Sequence, residues 1–183
     1  QMDAIVADIF GFHALQLGLP ELDALAANRM PHRWLACPDA TQAGGVLVTD
    51  FAALPFPANS LDLVVLPHTL ELSTDPHGVL REVERVLVPE GRVVICGFNP
   101  LSLWGARQRR AHLYRQMLGV DRPFLPWTGE FIGYLRLRDW LRLLGLELHS
   151  TRFGCYRPAL TRHTWLRRFG WMDRLGARWW PIL

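Results

Sequence analysis

From Leu61 to Leu66 the chain runs Leu-Asp-Leu-Val-Val-Leu, five apolar residues out of six and all of those branched. A run so short and so apolar fits a strand buried on both faces, the condition of a central strand in a parallel sheet. The next twenty residues narrow the choice further. Asp75-Pro76 opens a helix with proline at its first position, where the missing N–H costs nothing. To about Val88 that helix places Val79, Leu80, Val83, Val86 and Leu87 on one side and Arg81, Glu82, Glu84 and Arg85 on the other. Pro89-Glu90-Gly91 breaks it, and Arg92 to Cys96 reads as the next strand.

The same alternation extends upstream. Met2, Ile5, Val6 and Ile9 have helical spacing and end at Gly11; Phe12 to Leu17 reads as a strand closed by Gly18-Leu19-Pro20. Glu21 to Asn28 is expected to be a helix, with acids in its first turn. Arg33–Cys37 and Val46–Thr49 read as strands. Downstream, residues 99–134 look irregular, with a basic helix near 101–117 and a Pro/Trp loop at 122–129. A helix is expected over Leu137–Leu144, stopped by Gly145, then a strand over Leu146–Phe153. After Phe153 no further strand is legible, and residues 160–180 read as a basic aromatic helix. The expectation is a single α/β domain over 1–183, with a mostly parallel sheet and helices on both faces. Ligands of such sheets bind outside the carboxyl ends of the strands.

Composition excludes more than it selects. Half of the 183 residues are apolar, too many for a solvated coil. All twenty basic side chains are Arg; with no Lys, Schiff-base and phosphate-loop-lysine mechanisms are ruled out. Cys37, Cys96 and Cys155 stand apart, without the spacing of a metal site or a disulfide framework, so no metal is expected. Gln1-Met2-Asp3 begins an acidic stretch rather than a signal peptide, and the apolar runs are far shorter than a membrane span. A soluble, cytoplasmic protein is expected. Charge is divided: residues 1–100 carry five Arg against twelve acids, and residues 101–183 carry fifteen Arg against five. Seven of the eight Trp also lie after residue 100.

Three blocks carry a family resemblance. They are Asp50-Phe-Ala-Ala-Leu-Pro-Phe-Pro-Ala-Asn-Ser-Leu-Asp-Leu-Val-Val65, then His68-Thr-Leu-Glu71 with Asp75-Pro76, then Leu80-Arg-Glu-Val-Glu-Arg-Val-Leu-Val-Pro-Glu-Gly91. Together they resemble the class I S-adenosylmethionine-dependent methyltransferases, in particular the methyltransferase-11-like group. Phe10–Gly18, Gly97–Gly105 and Arg152–Arg157 are similar to a proteobacterial subgroup of it. The resemblance implies a Rossmann-like sheet that ends in an antiparallel strand, which is not legible after Phe153, and S-adenosylmethionine as cofactor. It implies that Asp50 accepts from the adenine amino group and that the backbone at Phe51 meets the ring, although Asp50 also suits a plain turn cap. Pro67, His68 and Thr69 would lie by the methionine moiety, with His68 as catalytic base. Asp62 is expected to anchor a turn. Two departures stand out. The family's glycine-rich loop is reduced to Gly18, followed by Pro20, and Asp39 is the one candidate acid for the ribose. Glu71 matches a family position, but Leu72 replaces the histidine beside it.

The Arg- and Trp-rich half carries the acceptor expectation. A lid at about 99–134, lined by Trp104, Tyr114, Phe124 and Trp127, suits a small-molecule or lipid-like acceptor. The 160–180 helix, with Trp165, Phe169, Met172, Leu175 and Trp179 on one face, suits either packing against the sheet or contact with an anionic membrane surface. No motif of a known nucleic-acid module is present. A methyltransferase is the first expectation; a non-catalytic, methyltransferase-like module that binds a partner or membrane through its basic half is the second.

Overall fold

A computed structural model describes residues 2–39, 47–100 and 131–154. These fall into two compact units: 2–97 with 143–146, and 98–100 with 131–142 and 147–154. The first unit holds α1 (Met2–Ala7), β1 (His13–Leu17), β2 (His32–Cys37), β3 (Leu47–Val48), β4 (Leu61–Pro67), α2 (Thr69–Leu72), α3 (Pro76–Val86) and β5 (Leu87–Cys96). Its five strands form one sheet in the order β3-β2-β1-β4-β5, with every described pairing parallel. This is the Rossmann-like arrangement expected from the sequence. The winding reverses between β1 and β4, so the crevice beyond their carboxyl ends is the switch point of the sheet.

The β4 run behaves as its composition requires. Leu63, Val64, Val65 and Leu66 are all fully buried, although successive residues point to opposite faces. One face belongs to α1: Val6 and Ile9 pack with Ala14, Leu63 and Val65, joined by Ala24, Leu25 and Met30. α3 is the crossover between β4 and β5, and it buries Val79, Leu80, Val83 and Val86. Its start is capped as expected, with the Asp75 carboxylate accepting from the Gly78 N–H at 2.9 Å behind Pro76. Asp62 is the expected anchor, accepting from the N–H groups of Phe12 and His13 at 2.9 Å each. It thereby ties the start of β1 to β4.

Three expected elements differ. Glu21–Asn28 is a series of turns and not a helix, because side chains claim the backbone groups that a helix would use. The Leu22 carbonyl and the Ala24 N–H bond to Gln16, and the Leu25 and Asn28 carbonyls accept from Arg33. Pro89-Glu90-Gly91 does not end one element and start another. β5 runs through it from Leu87 to Cys96, with Glu90 at φ 66 and the β4 pairing shifting register between Leu61 and Leu63. The extra residues are absorbed as a bulge. Leu146–Phe153, expected as a strand, forms none. Only Leu146 and Leu148 alternate, Ser150 and Arg152 take the next two places of that face, and residues 147–152 are all exposed, so no apolar face holds the segment as a strand.

The helix α4 (Tyr134–Leu143) overlaps the expected Leu137–Leu144, starting three residues earlier and ending one residue before it. Gly145 at φ +73 follows it as a left-handed stop. Tyr134 meets Phe153 edge-on at 5.5 Å, Phe98 meets Phe131 at 5.6 Å, and the Arg136 guanidinium lies 5.4 Å from the centre of the Trp140 ring. The expected basic helix at 101–117, the 122–129 loop, most of the 99–134 lid, the 160–180 helix and any strand beyond Phe153 lie outside the described residues. No helix among the described residues is long and apolar enough to cross a membrane.

Candidate functional site

Gly18 directly follows β1, and Pro67, His68 and Thr69 finish β4 and begin α2. The two segments are stitched together. The Thr69 hydroxyl donates to the Leu17 carbonyl and makes that tie, while the His68 N–H donates to the carbonyl of Cys96, at the end of β5, at 2.9 Å. Gly18 is left-handed at φ +81 and its N–H donates to the Ala36 carbonyl at 2.7 Å. A Cβ placed on Gly18 would stand 3.5 Å from Thr69 Oγ1 and 3.7 Å from the Phe51 ring. Three of the residues singled out in the sequence, Gly18 just after β1, Phe51 just beyond β3 and Thr69 at the start of α2, therefore surround one small cradle at the switch point. The room in it comes from the missing side chain of Gly18.

The turn after Gly18 is not a glycine-rich loop, and a different device shapes it. Gln16 is 2% exposed in the middle of β1. Its Nε2 donates to the carbonyls of Gly18, Leu19 and Leu22 at 3.1, 3.1 and 2.6 Å, and its Oε1 accepts from the Ala24 N–H at 2.8 Å. One side chain thus gathers the turn. Leu19 is held left-handed at φ 46, a conformation a branched residue adopts only when its surroundings fix it. Asn28 anchors the far end, donating to the Val6 and Ile9 carbonyls and accepting from the Met30 N–H. Neither Gln16 nor Asn28 is singled out by the sequence patterns. The available signal is a lone amide side chain inside the apolar His-Ala-Leu-Gln-Leu strand.

Asp39 is exposed at the carboxyl end of β2, and Asp50 is exposed just beyond β3. Asp50 acts as the turn cap, with Oδ1 accepting from the Ala52 N–H at 2.9 Å. The segment it opens is strapped to α3. Glu82 accepts from the Leu54 N–H and from Arg85, whose Nη2 also donates to the carbonyls of Leu54 and Phe56. The Arg85 hydrogen bonds hold the Glu82 carboxyl below the usual glutamate range. Its stabilisation is therefore present above about pH 4.3, the ordinary glutamate value, and is lost as pH falls through the lowered folded value. In urea unfolding, Glu82→Gln should lose about 1 kcal/mol at pH 7, and the gap to wild type should shrink at about pH 3. A gap that does not change with pH would show that the charge of the strap contributes nothing.

His68 is itself left-handed at φ 56. Its Nδ1 lies 2.9 Å from Glu71 Oε2, in a pair 30% and 7% exposed. The Leu72 departure accordingly does not leave Glu71 without a histidine, because His68 one turn earlier supplies it. Burial, followed by the Glu71 carboxylate, pushes the neighbouring Cys96 thiol up. Among the described residues no group of His, Cys, Asp and Glu could hold a metal ion. A recess of about 350 Å³ opens at the opposite, amino ends of the strands, between Asp62, Phe10 and the Glu90 bulge. It does not touch the cradle.

Comparison with known proteins bears on this geometry. The profile described as "Methyltransferase domain" matches residues 21–95. The chain is 35% identical to the uncharacterized protein YafS of Escherichia coli over 84% of its own length and 60% of that relative's. It is also 35% identical to the malonyl-[acyl-carrier protein] O-methyltransferase of Halorhodospira halophila, over 50% of its own length and 28% of the relative's. The chain thus spans under two thirds of either relative. Its fold is similar, at a TM-score of 0.63 and 19% identity, to a structure of the Haloferax volcanii Trm112 methyltransferase activator in complex with a methyltransferase. That match covers 88% of this chain and 76% of the other.

Proposed function

The chain belongs to the class I S-adenosylmethionine-dependent methyltransferase family, and on that premise we propose that it moves the methyl group of S-adenosylmethionine to a small-molecule or lipid-like acceptor. The observation that carries this reading is the meeting of Gly18, Phe51 and Thr69 at the switch point. A cradle into which a side chain at position 18 would project, at the carboxyl ends of β1 and β4, fits a ligand of this class. Gly18, Phe51, Pro67, His68 and Thr69 would hold the cofactor there, with Asp50 toward the adenine and Asp39 toward the ribose. Bound in this way, S-adenosylmethionine supplies a methyl group already activated by its sulfonium, so the protein has to align the acceptor and take up its proton. His68, partly exposed at the end of β4, is the residue for that proton. An acyl-type acceptor, as in the name of the Halorhodospira relative, falls within the same class. The reading places the protein in the cytoplasm, and the free thiols of Cys37 and Cys96 suit a reducing compartment.

Thermal melting with and without S-adenosylmethionine tests it. At a hundred times its dissociation constant the cofactor should add about 2.7 kcal/mol to stability, visible as a rise of several degrees. Asp50→Ala should reduce that rise, because the adenine loses its acceptor. An unchanged rise would move the adenine elsewhere. No rise at millimolar cofactor would favour the other reading, a methyltransferase-like binding module, whose specific support is the Gln16-gathered turn in place of a glycine loop.

A further inference from the structure

We propose that Glu71 is a positioning residue: it holds the His68 ring with the proton on Nδ1 and so makes Nε2 the atom that takes the acceptor's proton. The inference rests on the methyl-transfer reading for its use, and on geometry alone for its existence. An ionised carboxylate only accepts, so at 2.9 Å from Glu71 Oε2 the His68 Nδ1 is the donor. A neutral imidazole has a single N–H, which leaves Nε2 with a lone pair.

Both partners have little freedom to move. Glu71 is buried, and its Oε1 lies so near Gly97 that a Cβ there would stand only 3.2 Å away. His68 is fixed from the other side. Its N–H is committed to the Cys96 carbonyl, and its left-handed backbone costs about 1 kcal/mol in a residue with a side chain. A glycine at 68 would relieve that strain. The conformation nonetheless turns the ring back onto the first turn of α2, three residues along, where Glu71 meets it.

In the reaction this arrangement permits, the acceptor's electron pair forms the bond to the methyl carbon. S-adenosylmethionine, when bound, would supply the methyl group and its sulfur would keep the bonding electron pair, while the acceptor's proton would pass to His68 Nε2. The positive charge that the ring gains then lies 2.9 Å from a carboxylate. The proton leaves later to solvent.

The test reads the ring itself, in the cofactor-free protein at neutral pH. Long-range ¹H–¹⁵N correlation spectra of histidine-labelled protein distinguish the two tautomers, and His68→Gln identifies the signals. The expected result is a His68 ring with Nδ1–H in wild type, shifted to an Nε2–H majority in Glu71→Leu. A wild-type ring that is already mainly Nε2–H overturns the proposal whether or not the Leu variant folds, and so does a folded Leu variant with an unchanged ring. Melting with S-adenosylmethionine on the same wild-type samples separates this failure from that of the parent reading. A cofactor-induced rise with an Nε2–H ring removes the positioning role alone. An Nδ1–H ring without any rise removes methyl transfer, and with it the use assigned to the pair.

Discussion

Gln16→Ala is expected to destabilise the protein by about 3 kcal/mol, the sum of several buried hydrogen bonds worth about 1 kcal/mol each plus lost packing. Gln16 is almost wholly buried, and its amide serves three carbonyls and one N–H of the turn between β1 and β2. In a two-state unfolding experiment in urea that loss is a large part of the stability of an ordinary domain, and it lowers the melting temperature by about 6–12 °C. The chemistry of replacement separates mechanism from volume. Gln16→Leu keeps the size but leaves the same carbonyls without a donor, so it should be nearly as damaging. Gln16→Glu should be worse than Leu, because an acceptor then faces the carbonyls of Gly18, Leu19 and Leu22. If Leu restores wild-type stability, the network holds nothing and the turn is set by packing alone. Cofactor-induced stabilisation should also vanish in Gln16→Ala, since Gly18 belongs to the turn that this side chain gathers.

The Gln16 network also marks where the sequence is readable and where it is not. β4, α3 and the cap at Asp75 follow from local physics: an apolar run, an amphipathic period, a carboxylate before a proline. The parallel sheet follows from their order. Glu21–Asn28 reads as a helix because its acids and apolar residues satisfy one locally, whereas its backbone groups are taken by Gln16 and by Arg33, residues outside the segment. Leu146–Phe153 fails for a local reason: after Leu146 and Leu148 the same face carries Ser150 and Arg152, so two apolar residues and a closing Phe153 are all that suggest a strand there. At the site, Gly18, Phe51 and Thr69 can each be placed at a strand end from the sequence, and their meeting cannot, since it depends on how three separate segments fold back. The His68–Glu71 pair is legible in its i, i+3 spacing, but the family pattern points to position 72, where a leucine stands.

Gly18→Val is expected to weaken S-adenosylmethionine binding at least about 100-fold, equivalent to about 2.7 kcal/mol. Two effects act together, and controls separate them. The first is backbone strain: at φ +81 any L-residue costs about 1–2 kcal/mol, and a β-branched one is the worst choice. The second is occupancy. The added side chain projects into the cradle between Thr69 Oγ1 and the Phe51 ring, where even a single Cβ is already in van der Waals contact. Gly145→Ala supplies the strain without the occupancy, because Gly145 is equally left-handed at φ +73 and a Cβ there meets nothing within 4 Å. It should lose about 1 kcal/mol of stability and keep its cofactor affinity. Gly18→Ala should fall between the two, strained by a similar amount and only partly filling the cradle. Calorimetric titration of the three variants and wild type with S-adenosylmethionine decides the matter. Affinities that follow stability would make Gly18 a conformational requirement only. A Gly18→Val protein that is folded, melts within a few degrees of Gly145→Ala and still binds as wild type does would place the cofactor outside the Gly18, Phe51 and Thr69 cradle. The methyltransferase reading would then lose the observation that carries it.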